Sequence, residues 1–158
     1  MTLIILPIKM KNANNTVTTT EQAEFDQPPS YKVDVFGRLV YFQVRGLWTL
    51  GADIQWLSSI SKQMNSMRGS PWFLLADMRG WVVPKDVVYS SLRAKHNVDR
   101  RNEVAECWWL NKDDDHSYLL TIKAHLPIHV SIMYEASEVR KWLEERVEIG
   151  PTIDDLLV

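Results

Sequence analysis

The chain has 158 residues, 46% hydrophobic and 24% charged, which suits one domain able to bury its own core. A formal net charge of -2 gives the whole chain no electrostatic case for nucleic acid. Its one cysteine, Cys107, excludes an internal disulfide framework and fits a reducing, cytoplasmic setting.

The N-terminal stretch "MTLIILPIKMK" has a short apolar run that Pro7 interrupts, with its lysines after the run rather than before it. No secretory signal is expected, and no apolar run reaches the roughly 18–20 residues of a transmembrane segment. Residues 1–29 continue into a polar, Asn/Thr-rich stretch closed by Pro28 and Pro29, and a mobile tail is expected there. From residue 30 the texture is that of a domain running to about residue 150, with 151–158 as a second tail. "YKVDVFG" alternates as a half-buried strand, Gly37 and Arg38 make a hairpin turn, and "LVYFQVRG" is a second strand. "TLGADIQWLSSISKQMNSM" follows as a helix with Thr49 as N-cap and Gly69 as stop. Its inward face is expected at Leu50, Ile54, Leu57, Ile60 or Ser61, Met64 and Met67.

"PWFLLADM" is a continuous apolar run ending in charge, the pattern of a strand covered on both faces. Pro84 then opens a helix through "PKDVVYSSLRAKHN", with Val87, Val88, Ser91 and Leu92 inward. "VAECWWLN" is a strand that turns Trp108 and Trp109 to opposite faces. "DDDHSYLLTIKAHL" is a shorter helix with Asp113–Asp115 at its positive end and Pro127 as its stop. "IHVSIMYE" is a strand. "SEVRKWLEERVE" is a last helix, facing in through Val139, Trp142, Leu143 and Val147. The order β-β-α-β-α-β-α-β-α predicts an α/β fold with a mixed, mostly parallel sheet.

Chemistry-bearing motifs are few. There is no Walker-type loop, GxGxxG, GxSxG, HExxH or CxxC, and the histidines lack zinc-ligand spacing. No catalytic set, metal or cofactor is therefore expected. Arg93, Lys95, His96, Arg100 and Arg101 form a basic cluster at a helix end. That cluster could suit an anionic partner, but a solvated C-terminus favoured by the macrodipole accounts for it better, and Asp99, Glu103 and Glu106 dilute it. The turn Asp77-Met78-Arg79-Gly80-Trp81, with Lys85 after it, stands where open sheets bind ligands. A helix N-terminus there favours an anion, and Arg79 and Lys85 reinforce it. The structural alternative has Asp77 tie the turn, Arg79 pair with it and Trp81 plug the sheet end.

From about residue 30 to residue 150 the chain resembles the STAS fold of anti-sigma-factor antagonists, and more closely their SpoIIAA-like bacterial relatives. The carrying stretches are "GLWTLGADIQWL", "PWFLLADMRGWVVPKD" and "YEASEVRKWLEE". The resemblance implies a non-enzymatic regulatory or protein-interaction module. In those antagonists the loop matching Asp77–Gly80 carries a phosphorylated serine. Here Met78 and Arg79 stand between the aspartate and the glycine, and neither can accept a phosphate ester. The alternative implied by the same resemblance is a carrier or sensor of a small apolar or lipid ligand. A homodimer through a sheet edge or a tryptophan-bearing face is also open.

Overall fold

The computed structural model describes residues 27–91, 98–148 and 152–158. The expected tail therefore lies almost wholly outside the described residues, as do Leu92, Arg93, Lys95 and His96. Ser30–Phe36 (β1) and Leu39–Leu47 (β2) form the antiparallel hairpin, turned at Gly37 with φ +58°. Leu50–Met67 (α1) follows, capped by Thr49, whose side chain accepts from the Ala52 amide. The far end of α1 is closed by Arg38 of the hairpin turn. Its guanidinium donates to the carbonyls of Met67 at 2.7 Å, Pro71 at 2.9 Å and Ser70, and Gly69 stands directly after the C-cap Arg68, at the expected stop.

Trp72–Asp77 (β3) is followed by a two-residue strand, Trp81–Val82 (β4), and one helical turn, Lys85–Val88 (α2). Glu103–Trp109 (β5), Ser117–His125 (α3), His129–Met133 (β6), Ala136–Glu144 (α4) and Thr152–Leu156 (α5) complete the described elements. The fold is α/β with a mixed sheet in the order β1-β2-β3-β5-β6, parallel except at β1, with β4 pairing the end of β2.

Two cores flank this sheet, and strand parity sorts residues between them. Val40, Phe42, Leu74, Ala76 and Trp108 face α1, α2 and α3. Leu39, Tyr41, Leu75, Cys107 and Trp109 face α4 and α5. Trp108 and Trp109 thus part to opposite cores, and all seven tryptophans are buried. On the first face Trp56 meets Phe42 and Trp48 edge-on, and Trp81 meets Trp48 and Tyr118 in the same way.

Four expectations are corrected. Leu50 is exposed, and the buried face of α1 includes Asp53 and Trp56. The polar Asp53 can sit there because the Trp48 Nε1–H donates to its carboxylate at 3.0 Å. The helix expected from Pro84 is a single turn in which Val87 is buried and Val88 only half-buried, while Ser91 is exposed. The C-terminal residues are not a tail, since α5 buries Ile153 and Leu156 in the second core and Asp154 pairs with Arg140 at 2.5 Å. Finally, Gln27 and Pro28 lie across the end of β2, where the Leu47 amide donates to the Gln27 carbonyl at 3.0 Å. Among the described residues no helix is long and apolar enough to cross a membrane.

Candidate functional site

Alternation along β2 sends Gln43 and Arg45 to the same face as Tyr41, beyond the reach of the apolar core. The parallel register sets Asp77, the last residue of β3, opposite Gln43 on one side and Trp109 on the other. Asp77 is 0% exposed, so its carboxylate must be satisfied within the protein. Arg79 folds back on it in a two-pronged pair, Nε to Oδ1 at 3.0 Å and Nη2 to Oδ2 at 2.9 Å. Arg45 reaches Oδ2 through Nη2 at 2.5 Å and the Asp77 carbonyl through Nη1 at 3.0 Å. The Gln43 amide adds a longer contact at 3.4 Å, and the Arg79 backbone N–H donates to Oδ1 at 3.3 Å. The Arg79 guanidinium lies over the Trp109 ring, its central carbon 3.4 Å from the ring centre.

The electrostatics follow from this geometry. Burial pushes the Asp77 carboxyl up, but the hydrogen bonds and charges of Arg79 and Arg45 outweigh it and hold the group below the usual carboxylate range. Burial, followed by the Asp77 charge, pushes the neighbouring Tyr41 hydroxyl up to about 12. Two guanidinium groups, each about a quarter exposed, thus share one buried carboxylate. They open on a cleft of about 310 Å³ lined by Gln27, Arg45, Arg79, Gly80 and Asn111. Such a cleft suits an anion.

The expected loop is divided by the fold. Asp77, Arg79 and Gly80 meet at the cleft. Gly80, at φ +65°, donates its N–H to Asp114 Oδ2 at 3.2 Å and lends its carbonyl to the Gly46 amide at 2.8 Å. Met78 and Trp81 turn into the first core, away from this cleft. Lys85 lines a separate pocket of about 380 Å³ with Asp115 and Tyr118. The helix N-terminus expected to favour an anion there belongs to a four-residue turn, too short for an appreciable macrodipole.

The basic cluster is also divided. Arg100 points inward, where Nη1 bridges the buried Glu103, at 2.8 Å, and Glu106. Arg101 pairs with Asp99 at 2.5 Å on the surface. Asp115 accepts from the Ser117 amide at the start of α3, while Asp114 serves Gly80 instead. Among the described residues no three His, Cys, Asp or Glu side chains group as metal ligands.

No family model matches the chain, no curated protein matches it, and no solved structure matches it.

Arg45, Gln43, Trp109 and Asn111 are absent from the sequence-based candidates. The signal for the first two is legible in retrospect: Gln43 and Arg45 are polar residues within a strand that is otherwise buried up to its last residue, Leu47. Such residues need partners, and Asp77 supplies one.

Proposed function

We propose that the chain is a non-enzymatic regulatory or protein-interaction module of STAS-like fold that reads an anionic group of a protein partner through Arg45 and Arg79. The fold reading is supported by the opening hairpin, the parallel strands after it, and a loop at their carboxyl ends. The functional reading rests on one observation, the two arginines fixed on a single buried carboxylate. Two positive charges against one negative leave the Arg45–Arg79–Asp77 cluster itself net positive, with the Asp114 carboxylate beside it on the Gly80 amide. Asp77 and Trp109 hold the Arg79 fork in place beforehand, so less side-chain freedom is lost on binding. A carboxylate or a phosphate can pair with the Nη1 edge of Arg79, the side of the guanidinium not turned to Asp77. The loop itself carries no phosphorylatable residue, so in this reading the charge is brought by the partner. The setting is cytoplasmic, supported by the lone Cys107 thiol, which burial pushes up to about 12 and keeps unreactive.

Partner capture from the native cell tests the reading, using the wild type and an Arg45→Lys/Arg79→Lys variant checked for folding by near-UV circular dichroism. The variant keeps both charges but loses the planar forks. A partner retained by the wild type in a salt-sensitive way and lost by the variant is expected. A partner held equally by both, or no specific partner, overturns the reading.

A further inference from the structure

A second site lies on the other side of the sheet. Between the sheet and helices α1 and α3 is a cavity of about 220 Å³. Its walls include Phe42, Trp56, Met64 and Trp108, and one edge carries Arg100 and Glu106. The geometry points to a binding site for a small, neutral, planar aromatic molecule that offers a hydrogen-bond acceptor to Arg100.

Three observations support this. The first is the void itself. Protein interiors pack to crystal density, and methionines such as Met64 adapt readily to gaps. A space of this size left beside them costs stability unless something occupies it.

The second is shape. A dry cavity of roughly 150 Å³ accepts benzene, so about 220 Å³ has room for a fused bicycle of about ten non-hydrogen atoms and none for a long acyl chain. The Trp56 ring is wedged at steep angles between Phe42, 5.2 Å away, and Trp81, 5.8 Å away between centres, which makes the wall stiff. A stiff wall rich in aromatic rings favours an aromatic guest, which can meet them edge-to-face or offset.

The third is the polar edge. Glu106 is 1% exposed and fully engaged, with Oε2 accepting from Trp108 Nε1 at 2.7 Å and Oε1 from Arg100 Nη1. The Arg100 Nη1 also serves Glu103 at 2.8 Å. Among the described residues no hydrogen bond engages Arg100 Nε or Nη2, and in this proposal they are the donors that a guest meets. A ring nitrogen or carbonyl fits them. An anionic guest would meet the buried Glu106 carboxylate, which already neutralises the Arg100 guanidinium, and this selects a neutral molecule.

Quinoline and naphthalene form the test pair, equal in size and differing by one ring nitrogen. The full chain, labelled with ¹⁵N, is titrated at about pH 7.5, where quinoline is neutral, and the indole N–H signals of the seven tryptophans are followed. Quinoline is expected to bind saturably, shifting Trp56, Trp81 and Trp108, with affinity about fivefold above naphthalene, the worth of one ordinary hydrogen bond. Ile60→Phe, which fills the cavity, is expected to abolish both titrations while near-UV circular dichroism stays native. No saturable shift, shifts at Trp142 on the other face, or equal affinity for the two probes overturns the proposal. Should Ile60→Phe fail to fold, the comparison of the two probes on the wild type decides alone.

Discussion

Asp77→Asn keeps the shape of the side chain and removes its charge, leaving two guanidinium groups facing a neutral amide. At an effective dielectric of about 20, unit charges about 4 Å apart attract by roughly 4 kcal/mol, and Asp77 has two such partners. Most of that attraction is offset by the cost of burying the carboxylate, which the amide does not incur. Solvent around the quarter-exposed arginines screens the remainder. Breaking one partner out of a buried pair costs about 3–5 kcal/mol. The amide retains one acceptor oxygen, so the expected loss is about 2–4 kcal/mol. For a chain of this length that is a fall in Tm of roughly 6–12 °C. Urea unfolding followed by tryptophan fluorescence at neutral pH measures it. The folded-state pKa of Asp77 lies below its unfolded value, so its contribution is complete above the unfolded pKa and is lost as pH falls through the folded one. The gap between wild type and variant should therefore narrow in acid. A gap below about 0.5 kcal/mol at neutral pH, or one that widens on acidification, refutes the account of the arginine pair.

Two further outcomes follow from buried groups elsewhere. Burial, then the adjacent Glu106, raises the Glu103 carboxyl well above the usual range, so it keeps its proton in the fold. A raised acid contributes stability that is whole below its unfolded pKa and lost as pH rises through the folded one. Wild-type stability should thus fall relative to Glu103→Gln by up to about 1 kcal/mol per unit between roughly pH 5 and 8, and parallel pH profiles would exclude this. Gly46 sits at φ +80°, and a Cβ there would stand 2.4 Å from the Pro28 carbonyl oxygen and 2.6 Å from that of Gln27. Gly46→Ala should cost about 2–3 kcal/mol and expose residues 27–29 to proteolysis. Gly37→Ala, at φ +58° with nothing within 4 Å, should cost about 1 kcal/mol; equal losses would show that the crossing segment has no bearing on the strain.

Much of the fold could be read from short-range pattern because each cue is contained within one element. The alternation of "YKVDVFG", the apolar run "WFLLAD" and the side-by-side Trp108 and Trp109 each state a periodicity, and periodicity fixes both element type and face. The misses share the opposite property. β4 is two residues held by pairing with β2, too short to have a period. α5 is a helix whose Ile153 and Leu156 gain their burial from a core built by residues far away in the chain.

The site divides along the same line. By itself the sequence determined that a charged turn follows a buried strand, that Asp77 and Arg79 are close enough to pair, and that no hydroxyl stands between Asp77 and Gly80. The tertiary structure alone decided that Arg45, 32 residues upstream, shares the same carboxylate, that Trp109 lies beneath Arg79, and that Trp81 and Lys85 leave the cleft. Parity assigns a side chain to a face of its own strand, whereas strand register and loop path decide which side chains on that face meet. Those are set by the packing of the whole sheet, and no local stretch of sequence contains them.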